Sequence, residues 1–327
     1  MKRKGSAGAG GGGARRAREG DAPHPVTAPA LRGRSIELEK PYFRLSAMPD
    51  PSTVRPPRVL ADALEVVKRR WASDLDYDYA REQLKSIRQD LTVQLLHDDL
   101  AADVYETHAR IAIEADDLGE FNTCQAQLQP LHAAGHHVRH APEFCAYRVL
   151  YNSVVPPRGS SSALVLAQLQ QLNGRALRHP LIAQALDAHR AIEARDFGAF
   201  FRLWPRMANL GRHFLDRLAP EMRRLALRAA CAAFEPAVPL PRLAQVLGLT
   251  DAAACLAYLR RFHRATAEHF IADGRAPADV ARALAACLDE AEARIAPREG
   301  TPDELQLCTR AFRFALARQR AQRASEL

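Results

Sequence analysis

The chain has 327 residues, of which 47% are hydrophobic and 6% aromatic, and its formal net charge is +8. A chain of this length can bury a full core in one large or two modest domains. Abundant alanine and leucine with few aromatics favour helices over sheets. Apolar runs long enough to span a bilayer are absent and the N-terminus does not read as a secretory signal, which excludes a membrane partner and predicts a soluble protein.

The positive charge, with a pI near 9.4, favours polyanionic partners because neutralised phosphates release counterions. Much of the excess is arginine spread over predicted helices, so charge alone leaves direct contact with RNA or DNA open. The six cysteines are scattered and form no CxxC pair, which predicts buried thiols in a reducing compartment, without disulfides or zinc. They are Cys124, Cys145, Cys231, Cys255, Cys287 and Cys308.

The first 40 residues are rich in glycine and proline and are predicted to be a disordered tail. Two short basic clusters, Lys2–Lys4 and Arg15–Arg18, fit either a nuclear import address or a loose polyanion contact. The segment 41–57 is punctuated by prolines and is predicted to be extended. The first helix is predicted over Arg58–Arg70.

The stretch Tyr79–Gln94 has the pattern of an amphipathic helix. Its apolar residues recur every three or four positions, which places them on one face, and its other face is densely polar. The predicted buried face consists of Leu84, Ile87, Leu91 and Leu95.

The sequence of this helix over Glu82–Gln94 closely resembles the hallmark motif of the Sac-three/GANP family. The resemblance is strongest to the branch that contains leukocyte receptor cluster member eight and yeast Thp-three. Further matching stretches follow in the right order and spacing, and the resemblance is clear over about residues 41–235. These stretches are Tyr42–Leu45, Pro49–Pro56, Val104–Ala112 and Glu120–Asn122.

The resemblance implies an all-α fold in which a helical-repeat domain runs into a winged-helix-like segment of a PCI-type module. We place the repeat domain at 41–215, the winged-helix-like part at 216–275 and C-terminal helices at 276–327. An internal repeat favours a solenoid, since Ile113–Phe121 reappears as Ile192–Phe200. In each copy, an aspartate (Asp117 or Asp196) is expected to cap a helix and a phenylalanine (Phe121 or Phe200) to enter the core.

Farther along, a strong helix is predicted over Arg217–Phe234, and Pro236–His263 is typical of a helix–turn–helix in which Gly248 ends the first helix and Thr250 caps the second. A strand at Glu268–Ile271 with a turn at Asp273-Gly274 would supply part of a wing. Helices are also predicted over Pro277–Ile295 and Asp303–Arg323. The apolar face expected for the strong helix consists of Leu218, Met222, Leu225, Ala229 and Ala233.

Charge and placement, rather than a family motif, select the candidate phosphate contacts. They are Arg217, Arg224, Arg228, Arg260, Arg261 and Arg264. The family-motif residues are expected to be structural instead, locking adjacent helices by buried or half-buried pairing. They are Lys85, Arg88, Gln89 and Asp90.

Catalytic and metal motifs such as HExxH, GxSxG and Walker A are absent, so we expect no enzyme, no catalytic residue, no cofactor and no small-molecule substrate. The histidines His132, His136 and His140 would form a metal-binding face on an unbroken helix, with His137 adjacent. Gly135 and Pro142 predict a loop between helices instead, and no acidic or cysteine side chain is expected nearby as a fourth ligand. We therefore expect no metal there.

By resemblance, members of this family pair with a second PCI protein, often join a small acidic protein of the Dss-one type, and present a basic platform to nucleic acid. The implied function is a non-enzymatic scaffold of a nuclear complex in messenger-RNA biogenesis, processing and export, with a cytoplasmic presence left open. The main alternative is a protein-only scaffold subunit of an assembly like the proteasome lid. An enzyme built on the histidine cluster is a third hypothesis.

Overall fold

The computed structural model describes residues 31–155, 161–234, 237–272 and 306–308, with side chains left undescribed at 237, 263–272 and 306–308. Most of the described residues are helical. The helices are α1 (Pro57–Asp74), α2 (Tyr77–Val93), α3 (Asp99–Glu114), α4 (Leu118–Ala133), α5 (Ala141–Val154), α6 (Ser161–Leu169), α7 (Gly174–Leu177), α8 (Pro180–Glu193), α9 (Phe197–Leu203), α10 (Gly211–Ala233), α11 (Leu240–Leu247) and α12 (Ala252–Ala272). Within this part of the chain, no helix combines the length and apolar character needed to cross a membrane.

Helices α1, α2 and α3 enclose the first hydrophobic cluster, to which α2 contributes Leu84, Ile87 and Leu91. The sequence pattern predicted these three correctly. Leu95 was placed on the same face wrongly, because α2 ends at Val93 and Leu95 then adopts a left-handed φ of 56°. Its side chain is 62% exposed.

An extended N-terminal segment, residues 31–56, lies along α2. The Gly33 amide donates to Gln94 Oε1 at 3.0 Å, and the Lys40 amide donates to Gln83 Oε1 at 3.0 Å. The Ser35 amide donates to the Val54 carbonyl at 2.9 Å, which holds the segment against its own later part. Residues 33–40 therefore make defined contacts, although the sequence placed them in the tail.

The internal repeat corresponds to two equivalent helix–turn–helix junctions, α3 to α4 and α8 to α9. Asp117 and Asp196 each accept a hydrogen bond from the amide three residues later, at 2.9 and 2.8 Å. The residue before each aspartate is left-handed, and Phe121 and Phe200 are fully buried. The predicted caps and core positions of both copies are confirmed.

The central hydrophobic cluster lies among α3, α4, α5, α8, α9 and the first half of α10, where Phe214 and Leu215 are buried. The second half of α10 packs into a separate cluster with α11 and α12, through Ala226 and Leu227 among others. The boundary that we placed between residues 215 and 216 thus falls inside one continuous helix.

The predicted apolar face of α10 was wrong in part. Met222 is buried, but Ala229 and Ala233 are exposed and Leu218 and Leu225 are only half-buried. The helix begins at Gly211 and packs against two hydrophobic clusters, which bury a face of α10 different from the predicted one. Its buried residues are Gly211, Phe214, Leu215, Ala219, Met222, Ala226, Leu227, Ala230 and Cys231.

The helix–turn–helix in the C-terminal part is present, and Gly248 ends α11 with a left-handed φ of 63°, as predicted. The predicted cap at Thr250 was wrong. Asp251 caps α12 instead, by accepting a hydrogen bond from the Ala254 amide at 2.7 Å, and the Thr250 hydroxyl bonds the Asp251 carboxylate. Asp251 is favoured over Thr250 as the cap because its negative charge also interacts favourably with the partial positive charge of the helix N-terminus.

The strand that could have supplied part of a wing is not formed at Glu268–Ile271. Residues Glu268–Ile271 continue α12 rather than forming a strand, while Asp273-Gly274 and the predicted helix Pro277–Ile295 lie outside the described residues. Strand β1 (Ala237–Pro239) pairs antiparallel with β2 (Gln306–Cys308), with Ala237 opposite Cys308. Since β2 lies where the sequence predicted the helix Asp303–Arg323, that prediction was wrong at these positions.

Candidate functional sites on the motif helix and the C-terminal arginines

The N-terminal end of the fold is organised by Asp90 of α2, which is 1% exposed. It accepts hydrogen bonds from Arg55 Nε at 2.7 Å and from Lys40 Nζ at 2.8 Å. Arg55 is itself fully buried, and its remaining nitrogens donate to Ser86 Oγ at 2.8 Å and to the Leu38 carbonyl at 3.1 Å. Sequence reasoning missed Arg55, although it lies within one of the stretches that match the family.

The opposite side of α2 is tied to α4 by a second ion cluster. Glu120 lies 2.9 Å from Lys85 Nζ and 2.5 Å from Arg88 Nη2. Arg88 Nη1 also donates to the Cys124 sulfur at 3.0 Å. Burial raises the pKa of the Cys124 thiol to about 12, so this cysteine stays protonated and unreactive.

Gln89, between these two clusters, donates from Nε2 to the Phe43 carbonyl at 2.7 Å. All four motif residues therefore bond inside the chain, and together they join the N-terminal segment, α2 and α4. The stabilising role expected of them stays a prediction, but these contacts supply the physical basis for it.

His108 of α3 lies next to this ion cluster and is fully buried. Neither of its ring nitrogens has a hydrogen-bond partner. Burial, followed by the positive charges of Arg88, Lys85 and Arg81, holds the pKa of His108 well below its usual range. The imidazole is therefore neutral at physiological pH.

Two of the candidate phosphate contacts are paired with acids of the chain. Arg217 Nη1 lies 2.7 Å from Asp116 Oδ1, which joins α10 to the turn before α4. Arg224 Nε donates to Glu221 Oε2 at 2.8 Å, one turn earlier on the same helix. Their charges are partly offset before any ligand arrives.

The other four candidate arginines differ in how exposed their side chains are. Arg228 is half-buried on α10, Arg260 is half-buried on α12, and Arg261 is exposed on α12. Arg264 lies in α12, but its side chain is outside the described part of the structure. The five candidates whose side chains the structure describes therefore differ in how far they present charge to solvent.

Sequence reasoning also missed the part played by Arg223, which points inward. Its Nε donates to the Leu247 carbonyl at 3.1 Å, and its guanidinium lies 5.2 Å from the ring centre of Trp204. Burial lowers the pKa of Arg223. This side chain links α10 to α11 and to the 3₁₀ turn Trp204–Arg206 that follows α9. Arg242 of α11, by contrast, is exposed and donates to the side-chain carbonyl of Gln245.

The histidines near residue 136 do not share one helix, since α4 ends at Ala133. The expectation that no acidic group lies nearby was wrong, because α3 brings the buried carboxylate of Glu106 to them. His132 Nε2 lies 3.0 Å from Glu106 Oε1, and His140 Nδ1 lies 2.5 Å from Oε2. His136 faces away and pairs with Asp99 at 2.9 Å.

The sequence model of the SAC3/GANP family matches residues 40–267. The chain belongs to the SAC3/GANP family. It is 37% identical over 231 residues to a THP3 homolog of Schizosaccharomyces pombe, which covers 71% of this chain and 57% of that protein. It is 37% identical over 230 residues to a leukocyte receptor cluster member 8 homolog of Xenopus laevis, covering 69% of this chain and 28% of that protein.

A third relative, SAC3 family protein A of Arabidopsis thaliana, is 38% identical over 225 residues, which are 68% of this chain and 22% of the relative. The chain therefore spans little more than half of the fission-yeast protein and under a third of the other two. The SAC3/GANP match begins at Lys40, which bonds Asp90, and ends inside α12. It includes the four motif residues and all six candidate arginines, and it extends beyond the region over which the sequence resemblance is clear.

Proposed function

We propose that this SAC3/GANP protein is a non-enzymatic scaffold of a nuclear complex in messenger-RNA biogenesis, processing and export. The family match over residues 40–267 carries the proposal, because the resemblance implies this role for the family. The scaffold pairs with a second PCI protein and with a small acidic protein of the Dss-one type. Its charged groups around α2 serve the fold and not a reaction, since Asp90 and Glu120 are both paired with cations of the chain.

The C-terminal part is proposed to act as a winged-helix-like unit of a PCI-type module. Among the described residues, a helix (α10), a strand (β1) and two helices (α11 and α12) follow one another, and β1 pairs antiparallel with β2, which supports this. Helix pairs joined by equivalent capped turns, α3–α4 and α8–α9, support a helical-repeat array before it.

Nucleic acid is proposed to contact this unit through the arginines that present charge to solvent. Arg261 on α12 and Arg242 on α11 are exposed, and Arg228 on α10 is half-exposed. Arg217 and Arg224 are secondary, because a phosphate would first have to compete with Asp116 and Glu221.

The first experiment is an affinity purification of the full chain from native cells after nuclease treatment, read by mass spectrometry. Recovery of one PCI protein with a small acidic protein supports the scaffold. Recovery of proteasome-lid subunits in their place contradicts the messenger-RNA role and favours the protein-only assembly, a function that the internally paired Arg217 and Arg224 would suit.

The second experiment measures RNA affinity of the recovered complex against salt concentration. Replacing Arg261, Arg242 and Arg228 by glutamine should weaken binding and reduce the salt slope by roughly one for each phosphate that is no longer neutralised. Arg69→Gln is the control, because Arg69 is an exposed arginine of α1 and lies outside the C-terminal unit. An unchanged slope in the triple variant would remove the nucleic-acid part of the proposal.

A further inference from the structure

The side chain of Glu106 is fully enclosed in the fold, at 0% exposure. A carboxylate buried in this way needs partners that balance its charge and bond its two oxygens.

The neighbouring arginine compensates this charge poorly. Arg110 Nη1 lies 3.5 Å from Glu106 Oε2, while its Nε and Nη2 donate to the two oxygens of Glu143 at 3.1 and 2.9 Å. Because the two-pronged pair with Glu143 takes the better-oriented donors, the Glu106 carboxylate must be balanced chiefly from its other side.

Three imidazoles occupy that other side. His132 Nε2 meets one carboxylate oxygen at 3.0 Å, and His140 Nδ1 meets the other at 2.5 Å. His137 Nδ1 is buried 3.4 Å from the second oxygen, yet it makes no hydrogen bond. His137 therefore offers a buried ring nitrogen that the fold leaves without a hydrogen bond.

The spacing matches that of metal ligands. One atom from each of Glu106, His137 and His140 can be chosen so that all lie within 4.8 Å of one another. Ligand atoms about 2.0–2.1 Å from a tetrahedral zinc ion are roughly 3.3 Å apart, close to the separation of His137 Nδ1 from the carboxylate oxygen. His140 Nδ1, now 2.5 Å from the same oxygen, would move back to about 3.3 Å as the ion replaces the proton between the two atoms.

We infer that Glu106 Oε2, His137 Nδ1 and His140 Nδ1 form a zinc-binding site whose fourth position takes a water molecule. His132 is a positioning residue, since it bonds the carboxylate oxygen that does not face the ion and so orients the ligand. One carboxylate with imidazoles is a donor set that zinc accepts, and the doubly charged ion offsets the buried carboxylate.

A second group of metal-ligand side chains, His108, Glu120 and Cys124, differs in the one respect that decides the assignment. Its carboxylate already has Lys85 and Arg88 within 2.9 and 2.5 Å. Two cations at that distance would repel a metal ion. Glu106 has one arginine at the longer distance of 3.5 Å, and that guanidinium bonds Glu143, so the site is assigned to Glu106.

The test is zinc binding by the untagged full chain after treatment with a chelator, measured by equilibrium dialysis with metal analysis. One equivalent of zinc should bind saturably, and cobalt in its place should give the intense visible absorption of a four-coordinate site. His137→Asn and His140→Asn should each lose the saturable equivalent, and His132→Gln should weaken it about 10- to 100-fold.

His136→Asn is the matched control, because His136 lies in the same connection but pairs with Asp99 outside the site. It should bind zinc as the unaltered chain does. Absence of a saturable equivalent in the unaltered chain, or an equal loss in His136→Asn, would overturn the assignment and leave the histidines as hydrogen-bond partners of a buried acid.

A stability measurement decides the matter if a ligand variant fails to fold. Zinc should raise the melting temperature of the unaltered chain, and a chelator should reverse the rise, because a ligand that binds the folded state stabilises it. A melting temperature that zinc leaves unchanged would count against the site.

Discussion

At the level of single residues, the protonation of His108 is coupled to the stability of the fold. The pKa of this histidine is held well below its usual range by burial, and then by the charges of Arg88, Lys85 and Arg81. A histidine in the unfolded chain takes up a proton at about pH 6.5, whereas His108 in the folded protein does so only at a much lower pH. Between those points the unfolded state binds more protons, so the free energy of unfolding falls as the pH falls.

We therefore expect His108→Gln to flatten the pH dependence of unfolding between pH 7 and 5. The single proton accounts for at most about 1.4 kcal/mol per pH unit. Urea denaturation at several pH values measures the slope, and His213→Gln, at an exposed histidine of α10, should leave the slope unchanged. Equal slopes in the unaltered chain and in His108→Gln would refute the coupling.

A second prediction at this scale concerns Asp90, the shared partner of Arg55 and Lys40. Asp90→Asn leaves the guanidinium of Arg55 buried without its counter-charge, which should lower the free energy of unfolding by about 3–5 kcal/mol. Glu82→Gln changes an exposed carboxylate of the same helix and should cost less than about 0.5 kcal/mol. Chemical denaturation compares the two, and a similar small loss in both would show that the pair is not structural.

The sequence predicted the motif residues of these ion clusters but not their partners. Arg55 and Asp90 are separated by 35 positions, and Arg88 and Glu120 by 32. Such pairs depend on how helices pack, which no local pattern encodes. The same reason explains Glu106, which meets His132 and His140 across 26 and 34 positions and was therefore missing from the predicted histidine cluster.

At the level of elements, the N-terminal segment depends on one close approach to its neighbour. A Cβ atom at Gly33 would lie 2.4 Å from the Val54 carbonyl oxygen, which is backbone and cannot turn aside. Gly33→Ala should therefore loosen residues 33–40 from α2, at a cost of about 1–3 kcal/mol.

Hydrogen exchange of the Ser35 and Lys40 amides measures this loosening, because the first donates to the Val54 carbonyl and the second to Gln83 of α2. Exchange should accelerate by roughly 5- to 150-fold if the cost of about 1–3 kcal/mol is local. Gly119→Ala is the control, since a Cβ there meets only Asp117 Oδ1, at an ordinary 3.4 Å. Unaltered protection of both amides in Gly33→Ala would show that the segment does not need this approach.

Elements were predicted best where periodicity was strong and worst at their ends. Leu84, Ile87 and Leu91 share a face that three- to four-residue spacing reveals. Leu95 continued that spacing although the helix had ended, because its left-handed turn uses neither glycine nor proline. Ala229 was misplaced because alanine fits either face of α10, so tertiary packing decided the rotation.

At the level of the whole molecule, Gly248 connects the C-terminal cluster to the central one. A Cβ atom at this position would lie 2.3 Å from Cγ of Phe201, at the base of the ring, where the side chain has little freedom to move. Gly248→Ala should thus separate α11 from α9 in addition to straining a left-handed turn.

Gly135→Ala measures the backbone strain by itself, because Gly135 also has a positive φ, 104°, but has open space around it. Gly248→Ala should cost about 1–3 kcal/mol more than Gly135→Ala, the usual range for overpacking. Thermal unfolding followed by tryptophan fluorescence is the measurement, since Trp204 packs against Phe201. Equal losses in the two variants would mean that backbone strain alone matters at Gly248.

Helix α10 determines where the chain can be divided into fragments. Its first half completes one core and its second half begins another. A fragment that stops at residue 215 would leave Phe214 and Leu215 on a fraying end, and its complement would begin in mid-helix with Met222 stripped of neighbours. Scission there is therefore expected to expose apolar surface on both fragments and make both insoluble, so the two cores should unfold together in the intact chain.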